Sequence, residues 1–228
     1  MSQYVKSRPA SPADEIAEEV LRRVRERLEK WPSVSALKKF VPVGVSARHV
    51  HLSKEVFSKL FGENCELQKL KDLTQTGQFA AKETVTIIAP NLRTLEDVRI
   101  LGPVRNYTQT ELSRSDGRRL GLELPVRDSS DLANTPGVVL VGPRGSVQIS
   151  EGAVRAIRHI HMTDEDTREF GVRDGDTVSV KVEGEKGLTF DMVKVKVDPT
   201  YCLELHLDTD DANAAGLSDG DLVELIRG

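Results

Sequence analysis

The sequence predicts a mainly β fold, with short strands arranged in a barrel or a sandwich. Runs of β-branched and aliphatic residues alternate with glycine, proline and asparagine turns, as in residues 41–47 and 136–149. The phrase Asp-Gly-Asp, followed each time by a strand-like run, occurs at 174–176 and again at 219–221. We interpret these aspartates as turn-forming residues and not as metal ligands, because glycine at positive φ between polar residues is typical of a tight turn.

Other elements are predicted from local patterns. Residues 53–62 are expected to form a short helix that Ser53 caps and Gly62 ends. Short strands are expected further along the chain, at 70–73, 79–81 and 83–89, and a β-hairpin at 136–149.

An amphipathic helix is predicted near the N-terminus. Ser11-Pro12 supplies an N-cap and a proline at the first helical position, and Trp31-Pro32 ends the pattern. Apolar residues recur at helical spacing, at Ile16, Val20, Leu21, Val24 and Leu28. Such a helix is marginal alone in water, so its apolar stripe is expected to pack on its own domain, on another copy or on a different protein.

Composition narrows the function classes. With 228 residues and 38% hydrophobic content, the chain is large enough to bury a core. A net charge of −4 and an aromatic content of 4% argue against a nucleic-acid partner. No apolar run is long enough to span a bilayer and the N-terminus lacks a signal-peptide layout, so we expect no membrane partner and an intracellular protein. Cys65 and Cys202 are far apart, which argues against a disulfide framework or a thiolate zinc site.

The five histidines of the chain predict metal binding. Four of them stand in two copies of one pattern, Arg48-His49-Val50-His51 and Arg158-His159-Ile160-His161, and His206 stands in a third strand-like alternation. Because successive strand side chains point to opposite faces, both imidazoles of a pair project from one face. A single strand histidine is more often a buried residue bonded to a backbone carbonyl. Here all five histidines stand in strand-like alternations, and this favours a metal site.

Two further residues, Glu111 and Arg105, are candidates for the same site. Alternation places Gln109 and Glu111 on one strand face, and a carboxylate is a common third ligand beside two histidines. Arg105 carries the planar fork that binds phosphate or carboxylate. The alternative is that Arg105 and Glu111 belong to a solvated, charged face.

Several motifs in order resemble the phosphate propanoyltransferase family of bacterial microcompartments, over roughly residue 35 to the end. The motifs that carry the resemblance are residues 46–52, Gly102-Pro103-Val104-Arg105, residues 109–113, residues 158–162 and Leu205-His206. The resemblance implies a mainly β fold of two small closed β-barrels with short capping helices. Residues 33–47 and 155–228 would form the first barrel, residues 48–154 the second, inserted barrel, and residues 1–32 an N-terminal amphipathic helix and possible encapsulation peptide.

The resemblance also implies the site residues. Two zinc ions are expected per chain, one held by His49, His51 and Glu111 and the other by His159, His161 and His206. Arg105 matches the catalytic, phosphate-binding arginine of the family. Contacts with coenzyme A are expected at six positions, Val45, Ser46, Ala47, Arg93, Arg99 and Asn213.

The implied reaction is direct attack of phosphate on a short-chain acyl-CoA at a two-zinc site, which gives acyl phosphate and coenzyme A. Expected partners are acyl-CoA, phosphate, further copies of the chain in a homo-oligomer, and microcompartment shell or core proteins that bind residues 1–32. The expected location is the bacterial cytoplasm, inside a microcompartment. The same ligands also suit a dinuclear zinc hydrolase, or a zinc-stabilised interaction module without enzymatic activity.

Overall fold

The computed structural model of the chain describes residues 18–23, 26 and 40–226, and it divides into two compact units, residues 1–38 and 39–228. In the first unit residues 18–23 are helical, as is Glu26, which confirms the predicted helix over these positions. Glu19 accepts hydrogen bonds from Arg22 and Arg23 along this helix. The predicted cap at Ser11 and the stripe residues Ile16, Val24 and Leu28 lie outside the described residues.

The second unit contains short strands and four short helices among its described residues. The strands are β1 (Phe40–Ser46), β2 (His49–His51), β3 (Lys69–Asp72), β4 (Phe79–Ile88), β5 (Thr94–Gly102), β6 (Gln109–Glu111), β7 (Val126–Arg127), β8 (Val138–Gly142), β9 (Gly145–Ile149), β10 (Ala153–Ala156), β11 (His159–Met162), β12 (Thr177–Val182), β13 (Leu188–Val197), β14 (Glu204–Asp208) and β15 (Leu222–Ile226). The helices are α1 (Lys54–Phe61), α2 (Arg114–Leu120), α3 (Asp164–Phe170) and α4 (Thr209–Ala215).

Six strands form a closed barrel in the order β1-β14-β11-β13-β12-β15. Strand β1 pairs in parallel with β14 and antiparallel with β15, which closes the ring. Alternating aliphatic residues of these strands fill the interior, among them Val41, Val43, Ile160, Met162, Leu205 and Leu207. The mainly β prediction is confirmed, and so is a small closed barrel.

The remaining nine strands form a second sheet, curled into a half-barrel, in the order β7-β10-β6-β2-β5-β4-β8-β9 with β3 beside β4. This sheet is not closed in the described part of the chain, unlike the second closed barrel that the resemblance implied. Strand β7 has only two residues, Val126–Arg127, and pairs with β10 alone, so it cannot continue the ladder around to β9. This sheet and helix α1 share a second core, which includes Val50, Leu60, Ile87 and Leu140.

Local predictions mostly match the elements. Helix α1 begins after the cap Ser53 and ends at Gly62, and the hairpin β8–β9 is present as expected. The separate strands predicted at 79–81 and 83–89 are one strand, β4, whose register shifts between Ala80 and Thr84. The break predicted from the sequence therefore falls at a register irregularity within one strand. The proposed domain division places its boundary at 154/155, inside β10, which belongs to the second sheet.

The Asp-Gly-Asp phrases form turns, as the sequence predicted. The carboxylates of Asp176 and Asp221 each accept a hydrogen bond from the backbone N–H three residues earlier, at 2.8 Å in both cases. Gly175 and Gly220 have φ values of 80° and 83°, which an L-residue with a Cβ rarely adopts. The carboxylates of Asp176 and Asp221 are therefore already hydrogen-bonded within their own turns.

Charged and polar contacts connect the barrel to the curled sheet. Asp128, just after β7, bonds the ammonium groups of Lys194 and Lys196 on barrel strand β13. Ser115, in the first turn of α2, donates its backbone N–H to Asp210 of α4 at 2.7 Å. No helix among the described residues is long and apolar enough to cross a membrane.

Candidate functional site

The two histidine pairs lie on β2 in the curled sheet and on β11 in the barrel. Val50 and Ile160, between the histidines of each pair, are fully buried in the cores of their respective sheets. Because strand side chains alternate, the imidazoles project from the face opposite each core. They are nevertheless at least 92% buried, since none of His49, His51, His159 and His161 exceeds 8% exposure.

The first group is completed by strand β6, antiparallel to β2. The register places Glu111 opposite His49, and the carboxylate oxygens lie 3.5 Å from His49 Nε2 and 3.7 Å from His51 Nε2. Gln109 donates an amide N–H to Glu111 Oε1 at 2.7 Å, as expected for two residues on one strand face. The predicted association of Glu111 with the first histidine pair is present in the structure.

The second group is completed by strand β14, antiparallel to β11. Its register places His206 opposite His159, and these two rings stack with their centroids 4.8 Å apart. The His161 ring lies 4.8 Å from that of His159 and 4.5 Å from that of His206. Tyr201 stacks on His161 with the ring centroids 3.9 Å apart, so it limits rotation of that ring.

The first histidine of each pair makes the same kind of contact with the backbone. Nδ1 of His49 lies 2.8 Å from the carbonyl oxygen of Ala47, and Nδ1 of His159 lies 2.8 Å from that of Ile157. A carbonyl only accepts, so Nδ1 carries the proton in each ring and donates it. The lone pair of each ring is then on Nε2, which is the tautomer that a metal ligand needs.

The electrostatics of the groups follow from burial. Burial lowers the pKa of His51 to about 3, with the charge of His49 acting in the same direction. Burial also lowers the pKa of His161 to about 3, with His206 adding to the effect, and it holds the pKa of His159 well below its usual value. Imidazoles with such pKa values are neutral at pH 7, the form in which histidine binds metal ions.

Glu111 and His49 behave as a coupled pair. Burial alone would raise the pKa of Glu111, but the charge of His49 and its hydrogen bond hold that pKa well below the usual range. Burial alone would lower the pKa of His49, but the Glu111 carboxylate outweighs it and raises that pKa. The first group therefore contains an ionised carboxylate among imidazoles.

Both groups fit a divalent metal ion. The candidate ligand atoms within each group, one per residue, all lie within 4.8 Å of one another. His51 Nδ1 and His161 Nδ1 are buried without a hydrogen-bond partner, although buried ring nitrogens normally have one. Two histidines with a carboxylate, and three histidines, are both donor sets that zinc takes with one position left open. Each set could therefore hold one zinc ion.

Arg105 lies close to both groups. Its guanidinium donates to the hydroxyl of Tyr107 at 2.6 Å, and its backbone N–H donates to Leu52, the residue after His51. Its positive charge contributes to the low pKa of His51 and acts against the effect of burial on Tyr201, whose pKa is raised. Arg105 is half-buried, so its planar donor fork stays partly accessible to a ligand.

Five of the six residues expected to contact coenzyme A belong to elements that adjoin the histidines. Val45 and Ser46 end strand β1, Ala47 carries the carbonyl that accepts from His49, and Arg99 is directly opposite His49 on β5. Asn213 is exposed on α4, which packs against β1.

Arg93 lies elsewhere. It stands just before β5 and six residues before Arg99, roughly 20 Å at the rise of a strand, and its guanidinium donates to the backbone carbonyl of Arg118 in α2 at 3.4 Å. The structure does not bring Arg93 to the histidines.

Sequence reasoning missed several residues at the site. Tyr201 stacks on His161, and Lys196, 16% exposed in its side chain, pairs with His161 across the β11–β13 ladder. Glu204, also missed, lies two residues before His206 on β14 and 3.0 Å from its ring nitrogen. The alternation Glu204-Leu205-His206 was a signal that could have identified this carboxylate, whereas nothing local distinguishes Tyr201.

Comparison with known proteins gives consistent matches. The family model described as "PTAC: Phosphate propanoyltransferase" matches residues 42–218. A phosphate propanoyltransferase of Thermotoga maritima is 50% identical over 208 residues, which covers 91% of this chain and 95% of the relative. A phosphate propanoyltransferase of Lachnoclostridium phytofermentans is 48% identical, over 82% of this chain and 87% of its own length. One of Clostridioides difficile is 43% identical, over 94% of this chain and 97% of its own length.

Metal analysis tests the two groups. We expect two zinc ions per chain in protein purified after growth with zinc. His49→Ala and His159→Ala should each lose one of them, because each variant removes one ligand of a three-ligand set. Elemental analysis of the dialysed proteins measures the ratio, and Arg119→Ala, an exposed position on α2, serves as the control. Protein that retains no metal, or a His49→Ala variant that retains both ions, would contradict the assignment.

Proposed function

Since the chain belongs to the phosphate propanoyltransferase family, we propose that it interconverts acyl-CoA plus phosphate and acyl phosphate plus coenzyme A at the two histidine groups. The observation that supports this most directly is the position of Arg105, within electrostatic reach of His51 in the first group and of Tyr201 beside the second. An anion bound by Arg105 would lie near the first group and near Tyr201, which stacks on His161 of the second.

Arg105 binds and orients phosphate in this proposal. Its fork offers parallel N–H donors to two phosphate oxygens, and its charge offsets the charge of the incoming nucleophile. The Tyr107 hydroxyl and the Leu52 carbonyl fix the guanidinium and the backbone of Arg105, so little side-chain freedom is lost when phosphate binds. Phosphate is thereby held in a defined orientation.

The two groups of ligands would hold zinc, with His49, His51 and Glu111 at one ion and His159, His161 and His206 at the other. Bound zinc supplies Lewis-acid chemistry, which suits both a departing thiolate and a phosphate oxygen. Gln109 fixes Glu111 through its amide, and the carbonyls of Ala47 and Ile157 fix His49 and His159.

Transfer is direct in this proposal, without a covalent acyl-enzyme. A phosphate oxygen attacks the thioester carbonyl, the C–S bond breaks, and the electron pair leaves with the sulfur of coenzyme A. Within residues 40–226, the side-chain contacts of the two thiols are not with a base, since Cys65 bonds the carbonyl of Phe61 and Cys202 lies 3.9 Å from the Thr76 hydroxyl. Cysteine nucleophiles normally require such a base or a lowered pKa.

Coenzyme A would approach along the end of β1. Val45, Ser46 and Ala47 lead directly into the first histidine pair, so a pantetheine arm bound there would bring its sulfur towards His49. Arg99 and Asn213 would contact other parts of the ligand, and Arg93 is the least supported of the six positions because of its separation along β5.

An assay of free thiol tests the proposed reaction. Acetyl-CoA and propanoyl-CoA should release thiol only when phosphate is present, with formation of one acyl phosphate per thiol. Release at the same rate without phosphate would identify a zinc hydrolase, because water would then be the acceptor. No release under either condition, with two zinc ions bound, would identify a zinc-stabilised interaction module.

Substitution of Arg105 tests the phosphate site. Arg105→Ala should keep both zinc ions and raise the KM for phosphate, with kcat/KM lower by roughly 100-fold, since a charged donor to the reacting group is lost. The kcat/KM of Arg105→Lys should lie between those of the wild type and Arg105→Ala, because lysine keeps the charge but lacks the planar pair of donors. Initial rates over a phosphate series measure both effects, with Arg119→Ala as the control. Unchanged dependence on phosphate in Arg105→Ala would remove Arg105 from the site.

Residues 1–32 have a separate proposed role as a segment that binds microcompartment shell or core proteins. They lie before the first residue matched by the family model, residue 42, and contain none of the proposed ligands. Val20 and Leu21, the described part of the apolar stripe, are exposed at 53% and 54%. An exposed stripe at helical spacing is the surface that an amphipathic helix offers to a partner groove.

Deletion of residues 1–32 should leave acyl transfer and melting temperature close to those of the full chain, because the site residues all lie beyond residue 40. A fluorescent reporter that carries residues 1–32 should cosediment with microcompartment shells, and a reporter in which Val20 and Leu21 are both replaced by Asp should not. A large fall in melting temperature, with no sedimentation of the reporter, would show that the segment packs on its own enzyme.

A further inference from the structure

Glu204 is a buried carboxylate beside the second histidine group. It stands on β14 two residues before His206, so both side chains project from the same face of the strand. It is only 8% exposed, and its Oε2 lies 3.0 Å from His206 Nε2, so an N–H at Nε2 would be donated to Glu204 and the lone pair of the ring would be on Nδ1. Glu204 is not among the residues whose ligand atoms lie within 4.8 Å of one another, so its carboxylate stands behind His206.

The barrel leaves space for this carboxylate at Gly44. Strand β1 runs parallel to β14, and its register places Gly44 opposite His206. A Cβ at Gly44 would lie 2.7 Å from Cδ and 2.8 Å from Oε1 of Glu204, closer than real Cβ atoms approach other atoms. The glycine in the middle of a valine-rich strand is therefore explained by the position of Glu204.

The curled sheet supplies the residue that holds Glu204. Gln75, in the connection between β3 and β4, is only 3% exposed. Its amide nitrogen donates to Glu204 Oε2 and to the carbonyl of Cys202, both at 3.0 Å, and its amide oxygen accepts the backbone N–H of Cys202 at 3.1 Å. With both ends of the amide bonded, its orientation is fixed, and it gives a constant donor to Glu204 Oε2, the oxygen that also lies 3.0 Å from His206 Nε2.

We propose that Glu204 and Gln75 are positioning residues for His206, with Glu204 orienting the imidazole and Gln75 holding Glu204 in place from the other sheet. The inference rests on the proposed metal-binding role of His206. A carboxylate behind a ligand histidine fixes its ring orientation and increases its basicity, and loss of such a partner typically weakens metal binding about 10- to 100-fold. The second metal site is then complete only when the curled sheet is docked on the barrel.

Zinc affinity of the full-length chain tests this pair. Glu204→Gln and Gln75→Leu should each weaken one of the two zinc sites by about 10- to 100-fold and leave the other unchanged. Competition with a chromophoric chelator resolves the two affinities. The double variant should bind no more weakly than Glu204→Gln alone, since Gln75 acts through Glu204. Gln148→Leu and Glu224→Gln, on the outer parts of the same two sheets, are the matched controls and should leave both affinities unchanged.

A spectroscopic readout separates positioning from general destabilisation. In protein loaded with Co²⁺, the visible bands of one site should shift in Glu204→Gln while the melting temperature of the metal-free variant stays close to wild type. If Gln75→Leu does not fold, Gln75→Asn removes the reach to Glu204 and keeps the amide, and it should show the same loss of affinity. Wild-type affinity and wild-type cobalt bands in Glu204→Gln would overturn the inference.

Failure of the inference differs from failure of the proposed function. Wild-type protein that binds two zinc ions and transfers acyl groups, with Glu204→Gln unchanged in affinity and spectrum, would refute the positioning role alone. Wild-type protein that binds no zinc at the histidine groups would refute the metal assignment and, with it, the premise of this inference.

Discussion

The alternation of side chains along two short strands is the constraint on which the rest of the structure depends. Strand β2 has three residues and strand β11 has four. Each must bury an aliphatic residue in its own core and present two imidazoles on the opposite face. A shift of one residue in register would exchange the two faces and place the histidines in the hydrophobic cores. The cores around Val50 and Ile160 therefore also set the geometry of the ligand groups.

A second constraint follows from the burial of these histidines. Imidazoles that project away from both cores would be solvated on an isolated sheet, yet here they are almost completely buried. Docking of the two sheets against each other accounts for this, and polar contacts specify that docking. Asp128 bonds Lys194 and Lys196 across the junction, and Gln75 bonds both the backbone of Cys202 and the carboxylate of Glu204. The same contacts that join the sheets thus border the second histidine group.

The two histidine groups are similar in construction but differ in charge. Both begin with a histidine whose Nδ1 donates to the carbonyl two residues earlier, and both are completed by an antiparallel strand. The first group includes an ionised carboxylate, Glu111, among its candidate ligands, whereas the second has only imidazoles as candidate ligands and a carboxylate beside one of them. The two groups therefore differ in charge although their strands are arranged alike.

The sequence by itself determined the β class, the turns at the Asp-Gly-Asp phrases, the caps of α1 and the strand placement of all five histidines, because each depends on local propensity and alternation over a few residues. It also identified Glu111, since Gln109 and Glu111 are two positions apart on one strand. Only the tertiary structure decided that the second sheet stays open, that β4 is one irregular strand, and that Arg93 is separated from the histidines. Likewise, Gln75 meets Glu204 across 129 positions of sequence, and Tyr201 meets His161 through a turn without a motif. Such contacts depend on the strand order and on sheet docking, which local patterns do not encode.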